Sequence, residues 1–427
     1  MKKCLHLLLI LLIITGGCTT TKVKLRKANL SDTNITFKNY IFNDFESAFR
    51  TLNPKEAYNL AKTEAQKTAA EALDYVTQSR YEDASETFIN AMKTKDTLEK
   101  LWNMFSSNYY KLINYNWWKL EEYENMFGIT DNSFVFYKNK PEFQIKFLKD
   151  SVIIPIELQS GLPMVRIKIN GKFYYFLIDT GCNATIIGKN IAITNNIVCD
   201  NVEIASAAID GNFICFSGFL PELDLGQIKI SNFPIAVIDR NNTIKAKFLF
   251  ITYFQCDGII GWDLLCKLDV TIDYKNKQLV LRKPVKKDVT QRNLFWYYDP
   301  IVRFYCNGYP ILAFLDTGAS LTFFYQVPNL SKIFEINTNS LKKGNIKHYG
   351  FANEKASLKE QYYKYPNFQC YTIANNEMSY LTASKILLVN KWNMPYIPIN
   401  VDALLGSNWF KNKSIRIDML NGLFEIE

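Results

Sequence analysis

Two Asp-Thr-Gly triplets, Asp179-Thr180-Gly181 and Asp316-Thr317-Gly318, carry the residues of this sequence best suited to chemistry. In each, an apolar run leads into an aspartate that glycine lets the backbone present on a tight turn. Two such turns brought face to face would put two carboxyls within hydrogen-bond distance. Like charges that close do not both ionise readily, so the pair shares a proton and titrates as one unit. The ionised member can take a proton from a bound water while the protonated member polarises a carbonyl. Such chemistry needs no histidine, metal or cofactor. The composition agrees, because only His6 and His348 are present, too few for a multi-histidine zinc site.

The two triplets sit in matched frames. Asn170-Gly171 stands eight residues ahead of Asp179, counted from the glycine, and Asn307-Gly308 stands eight ahead of Asp316. The strands between read KFYYFLI and YPILAFL. Later come Gly258-Ile259-Ile260-Gly261 and Ala403-Leu404-Leu405-Gly406, and twelve residues beyond each final glycine lies an Ile-Asp pair holding Asp273 or Asp418. Asn276 and Asn421 follow three residues after those aspartates. Four landmarks in one order, at matched short spacings, indicate an internal duplication. The copies differ after the triplet, reading Cys182-Asn183 in the first and Ala319-Ser320 in the second.

On these motifs the region from about residue 151 to 427 resembles the pepsin and retropepsin-like aspartic peptidases, with both lobes in one chain. The resemblance implies a mostly-β, two-lobed fold with pseudo-two-fold symmetry, catalysis by Asp179 and Asp316, and a peptide or protein substrate. It implies no metal and no cofactor. It assigns the Thr180 and Thr317 hydroxyls to bonds across to the opposite lobe, beside Gly181 and Gly318. Ile259-Ile260-Gly261 and Leu404-Leu405-Gly406 match its second signature, followed by Asp263 and Asn408. In its pattern the Ser320 hydroxyl bonds the outer oxygen of Asp316, and Asn183 would serve Asp179 through its amide. A flap is expected around Asp210-Gly211-Asn212, with a less defined counterpart near 350–360. Cys182 with His348 as base is the competing nucleophile, against plain buried packing of the thiol. Asp273 and Asp418 read as structural strand-end residues. A rival reading keeps the fold as a cleft that binds extended peptides without cutting them, and a third makes the chain a helical scaffold whose β-region mediates contacts.

The elements that position these residues follow from the rest of the chain. Lys2, Lys3 and the apolar run 5–14 lead through Thr15-Gly16-Gly17 to Cys18, resembling a bacterial lipoprotein signal peptide over 1–17 with Cys18 as the lipidation site. Plain secretory cleavage and an uncleaved anchor are the alternatives. The expectation is an envelope protein on the periplasmic or extracellular face, anchored to the membrane by lipid. Residues 18–44 read as a polar tether. Residues 45–130 read as an α-helical domain with apolar residues at three and four, as at Tyr81, Ala84, Phe88 and Ala91. That stretch matches one partial tetratricopeptide copy, or equally a plain helical domain, and could dock a protein partner. Lobes are expected over 145–285 and 290–427, making the whole a multidomain α + β protein. The net charge of +9 comes from 50 basic and 41 acidic residues dispersed along the chain, with no dense block to grip nucleic acid. Seven cysteines lie beyond Cys18 without a C-x-x-C pair, and buried packing is their expected role.

Overall fold

A computed structural model describes residues 23–32, 37–38, 40–92, 136–137, 140–208, 211–241, 243–248, 251–295, 299–325, 342–349, 357–389 and 399–427. Strand β1 (Val23–Asn29) opens it, and helices α1 (Phe45–Arg50), α2 (Pro54–Leu60), α3 (Glu64–Thr77) and α4 (Tyr81–Met92) follow. The first half holds β2 (Gln144–Phe147), β3 (Ser151–Gln159), β4 (Leu162–Ile169), β5 (Lys172–Ile178), β6 (Ile186–Gly188), α5 (Lys189–Thr194), β7 (Val198–Ala208), β8 (Gly211–Asp224) and β9 (Ile228–Ile238). It continues through β10 (Ile244–Phe248), β11 (Ile251–Cys256), β12 (Gly258–Ile260), α6 (Trp262–Leu265), β13 (Asp269–Asp273) and β14 (Gln278–Arg282). The second half holds β15 (Leu294–Phe295), β16 (Ile301–Cys306), β17 (Tyr309–Asp316), β18 (Phe323–Tyr325), β19 (Lys342–Tyr349), β20 (Ser357–Ala374), β21 (Glu377–Val389), β22 (Ala403–Gly406), β23 (Ser414–Asp418) and β24 (Leu423–Ile426).

The duplication read from the sequence is a structural repeat. Both Asn-Gly pairs make two-residue hairpin turns with φ positive at both positions: 46° and 84° at Asn170-Gly171, 50° and 84° at Asn307-Gly308. This is the turn whose twist suits adjoining antiparallel strands, and Asn and Gly tolerate it best. In the first half β12 then runs parallel to β5, pairing Gly258 with Phe176 and Ile260 with Ile178. In the second, β22 runs parallel to β17, pairing Ala403 with Ala313 and Gly406 with Asp316. Strands β6 and β18 lie antiparallel on the far side of β12 and β22. Each triplet therefore leaves the C-terminal end of a strand that is hydrogen-bonded to the strand of its own hydrophobic-hydrophobic-Gly motif.

One antiparallel run joins the halves, in the order β24-β23-β13-β14-β3. Its central pairing sets β13 against β23, with Asp269 opposite Asp418 and Asp273 opposite Ser414. Arg416 crosses this junction, with Nη2 2.8 Å from Asp269 and 3.2 Å from Asp418, and Nη1 2.9 Å from Glu425.

One expectation for the N-terminal part is corrected. Within 18–44, residues Val23–Asn29 pair with β21 from Val23↔Ala383 to Asn29↔Glu377, so this stretch is an ordered edge strand and no free tether. Lys413 fastens it by donating from Nζ to the Val23 carbonyl at 3.0 Å. Among the described residues the expected helical domain is represented by a few short helices, and a tetratricopeptide repeat is not confirmed among them. Asp44 caps α1 through the Ser47 N–H at 2.7 Å, and Thr63 caps α3 through the Gln66 N–H at 3.2 Å. Their buried side chains, among them Phe49, Ala69, Leu73 and Val76, join Phe295, Leu312, Phe314, Phe323 and Leu404 in one apolar cluster. The amphipathic pattern was correctly read as helical; its buried stripe packs on the second half's sheet because these short helices cannot close a core alone. Arg303 locks the contact, donating from Nη2 to the Leu52 carbonyl at 3.0 Å. Residues 93–135, with Trp102, Trp117 and Trp118, lie outside the described residues.

Candidate active site

The triplets meet where the halves meet. Thr180 Oγ1 donates to the Leu315 carbonyl at 2.7 Å, and Thr317 Oγ1 donates to the Ile178 carbonyl at 2.8 Å. Each hydroxyl also accepts from the other triplet: the Thr180 N–H reaches Thr317 Oγ1 at 3.0 Å, and the Thr317 N–H reaches Thr180 Oγ1 at 3.1 Å. Both threonines are fully buried. Four reciprocal bonds in a buried setting fix the two turns against each other, and each would leave an unsatisfied buried group if broken.

This lock brings Asp179 and Asp316 together, and the two carboxyls are hydrogen-bonded to each other. A Cβ built on Gly181 would fall 2.5 Å from Asp316 Cγ, and one on Gly318 would overlap the Asp179 carboxyl. Each triplet glycine thus lies flat against the opposite carboxylate, the close approach that glycine permits. Backbone donors complete the site: the Gly181 N–H reaches Asp179 Oδ1 at 2.9 Å, and the Ala319 N–H reaches Asp316 Oδ1 at 2.8 Å.

Burial raises the pKa of both aspartates. Asp316, which is buried while Asp179 is half-buried, is pushed well above the carboxylate range by desolvation and then by the charge of Asp179. Asp316 is therefore the member that holds the shared proton, and Asp179 the one that ionises first. Burial also lifts the Cys182 thiol well above its ordinary value, and its Sγ–H donates to the Ala184 carbonyl at 3.1 Å. A thiol so held has no thiolate to attack with, which answers the nucleophile reading of Cys182. The proposed base His348 lies in β19, opposite Leu358 of β20.

Asn183 and Ser320 are placed differently from the family pattern. Asn183 is half-buried and Ser320 exposed, and among the described residues the carboxylates are held by main-chain donors rather than by these side chains. In the expected flap, β7 and β8 pair as a hairpin up to Ala208↔Gly211, while Asp210 lies outside the described residues.

The second signature supports the turns from below. Asp263 accepts from the Thr185 N–H at 2.7 Å and from Thr185 Oγ1 at 2.8 Å, and the Trp262 N–H donates to the Cys182 carbonyl at 2.7 Å. In the other half Asn408 Oδ1 accepts from the Thr322 N–H at 2.8 Å, and the Ser407 N–H donates to the Ala319 carbonyl at 2.8 Å. Thr185 and Thr322 were not singled out in the sequence, although both stand six residues after their aspartate, a spacing the repeat could have shown. A further contact had no such signal. Ser407 Oγ donates to the Thr317 carbonyl at 2.6 Å and lies 3.2 Å from the Tyr274 hydroxyl. Since the serine has spent its proton, the phenol donates to it, and burial holds that phenol protonated.

The comparisons fall on this geometry. Residues 165–264, which include Asp179, Thr180, Gly181, Ile259-Ile260-Gly261 and Asp263, match the family described as aspartyl protease. The resemblance is shown over those residues; Asp316 lies beyond them and is joined to them by the structural repeat. Among solved structures, the aspartic proteinase from Irpex lacteus is similar at 10% identity and a TM-score of 0.42, covering 65% of this chain and 96% of that one. No curated protein matches the sequence.

Proposed function

We propose that this protein is an aspartic endopeptidase that hydrolyses peptide bonds with a water activated between Asp179 and Asp316. The observation that carries this reading is the hydrogen-bonded carboxyl pair, held by reciprocal threonine bonds from two copies of one motif. Asp179 removes a proton from the water as it attacks the scissile carbonyl, and Asp316 gives its proton to the carbonyl oxygen. As the C–N bond breaks, Asp179 passes its proton to the leaving amine and Asp316 takes one back from a hydroxyl of the tetrahedral intermediate, which restores the dyad. Main-chain donors orient the carboxyls, so Asn183 need not replace a hydroxyl for the dyad to stand.

The test is cleavage of a mixed peptide substrate between pH 3 and 8 by wild type, Asp179→Asn and Asp316→Asn. Each variant is expected to lose at least ~100-fold in rate, the lower range for positioned acid-base groups. Equal cleavage by either variant refutes the mechanism. Peptide binding by all three without cleavage would support the non-cutting cleft instead.

The leader suggests where this activity works. Cys18 as a lipidated N-terminus would place the enzyme on the outer face of a membrane, and with Val23 already in β1 the anchor would leave little slack. Cys18→Ser is expected to move the protein from the detergent-rich to the aqueous phase on partitioning; no change would remove the anchor from the proposal.

A further inference from the structure

Strands β16 and β20 touch at a single register position, Tyr305 opposite Tyr371. The two rings stack on one face, with centroids 5.3 Å apart and planes 11° from parallel. Because the strands are antiparallel and side chains alternate, the next pair, Cys306 and Cys370, stands opposed on the other face. Both are buried in the main core, at 0% and 2% exposure, in the same apolar cluster. Directly opposed strand residues have Cβ atoms about 4.5–5.5 Å apart, and a disulfide needs about 3.5–4.5 Å, so a small closure suffices.

We propose that Cys306 and Cys370 form a cross-strand disulfide when the chain folds in an oxidising medium. The bond would tie the turn end of the long β20–β21 hairpin to β16, which turns at Asn307-Gly308 into β17 and so into Asp316. This contact is where reinforcement counts, since β20 pairs with β21 at eleven positions but with β16 at one. The proposal does not depend on the peptidase reading.

The step is ordinary thiol–disulfide exchange with a small-molecule disulfide. One cysteine thiolate attacks a sulfur of oxidised glutathione and releases glutathione thiolate. The second cysteine then attacks the protein sulfur of the mixed disulfide and releases the other glutathione. The protein pair loses two electrons and two protons, and the glutathione disulfide gains the electrons. Both thiols are sealed in the native core, so exchange belongs to the folding chain, before the core closes.

The test refolds reduced full-length protein in a mixture of reduced and oxidised glutathione, blocks free thiols, and maps an unreduced digest by mass spectrometry. The expected result is a Cys306–Cys370 linked peptide as the main cross-link. Adding reductant should lower the midpoint of thermal unfolding by about 5 °C, and the Cys306→Ala/Cys370→Ala variant should lose that dependence. Full blocking of both cysteines after oxidative refolding, or their linkage to other cysteines, overturns the proposal. So does a reductant shift of equal size in the double variant, which would place the sensitive bond elsewhere.

Discussion

Asp316 holds its proton to higher pH than an ordinary carboxyl because it is buried and faces the charge of Asp179. Two consequences follow at this scale. Turnover needs Asp179 ionised and Asp316 protonated, so kcat/KM should rise on the acid side as Asp179 ionises and fall on the alkaline side as Asp316 does. Because burial raises both, that window is displaced upward from the ~3.9 of a free aspartate, which a pH–rate profile will show. The second consequence concerns stability. Between the unfolded carboxyl value and the raised folded one, the folded state binds more protons than the unfolded state. Stability contributed by this pair is therefore full at low pH and lost as pH rises through that interval. Asp316→Asn removes the titration, so its unfolding free energy relative to wild type should be higher at pH 8 than at pH 4. Urea unfolding at both values checks this; a difference independent of pH would mean that Asp316 titrates normally.

The elements around the dyad matter through their bonds to each other. Thr317→Val is nearly isosteric, yet it leaves the Ile178 carbonyl and the Thr180 N–H unsatisfied in a buried setting. A cost on the order of 2–4 kcal/mol is expected from two such groups, with loss of cleavage beyond what stability explains. Thr317→Ser keeps the hydroxyl and should retain most of both, so the pair of variants separates bonding from volume. This part of the molecule was largely legible in the sequence, because the repeat fixes residue types at set distances: the Asn-Gly turns, Asp-Thr-Gly and hydrophobic-hydrophobic-Gly all fall where their spacing put them. Support from Asn183 and Ser320 was expected by family pattern, while backbone donors, which every residue carries, leave no mark in a sequence. Tyr274 and Ser407 met for a similar reason. Their contact depends on how the halves dock, and no local periodicity encodes that. The N-terminal stretch misled because β1 has the polar composition of an edge strand, which resembles that of a tether.

Across the whole molecule, the halves and the helices are bound by buried contacts that should make them unfold together. At the inter-half junction Arg416 bridges Asp269 and Asp418, both almost fully buried, while Arg282 reaches Asp269 only at 3.6 Å. Arg416→Met would strip the guanidinium from these carboxylates, and breaking a buried pair from one side typically costs about 3–5 kcal/mol. Loss of far-UV dichroism in urea should move to correspondingly lower concentration, whereas an unchanged midpoint would show the junction to be well solvated. The helices offer the sharper case. Leu73 of α3 has no exposed surface and lies in the same apolar cluster as Leu312, Phe314 and Leu404, residues of the strands that carry Asp316 and its supporting turn. Leu73→Ala should cost about 2–5 kcal/mol, like other buried leucine truncations. If helices and second half are one cooperative unit, amide exchange should quicken by a similar factor over 45–84 and over 301–316. The first-half strand Lys172–Ile178 should be affected less. Acceleration confined to the helices would instead make them a separately melting cover, and activity should then survive the substitution.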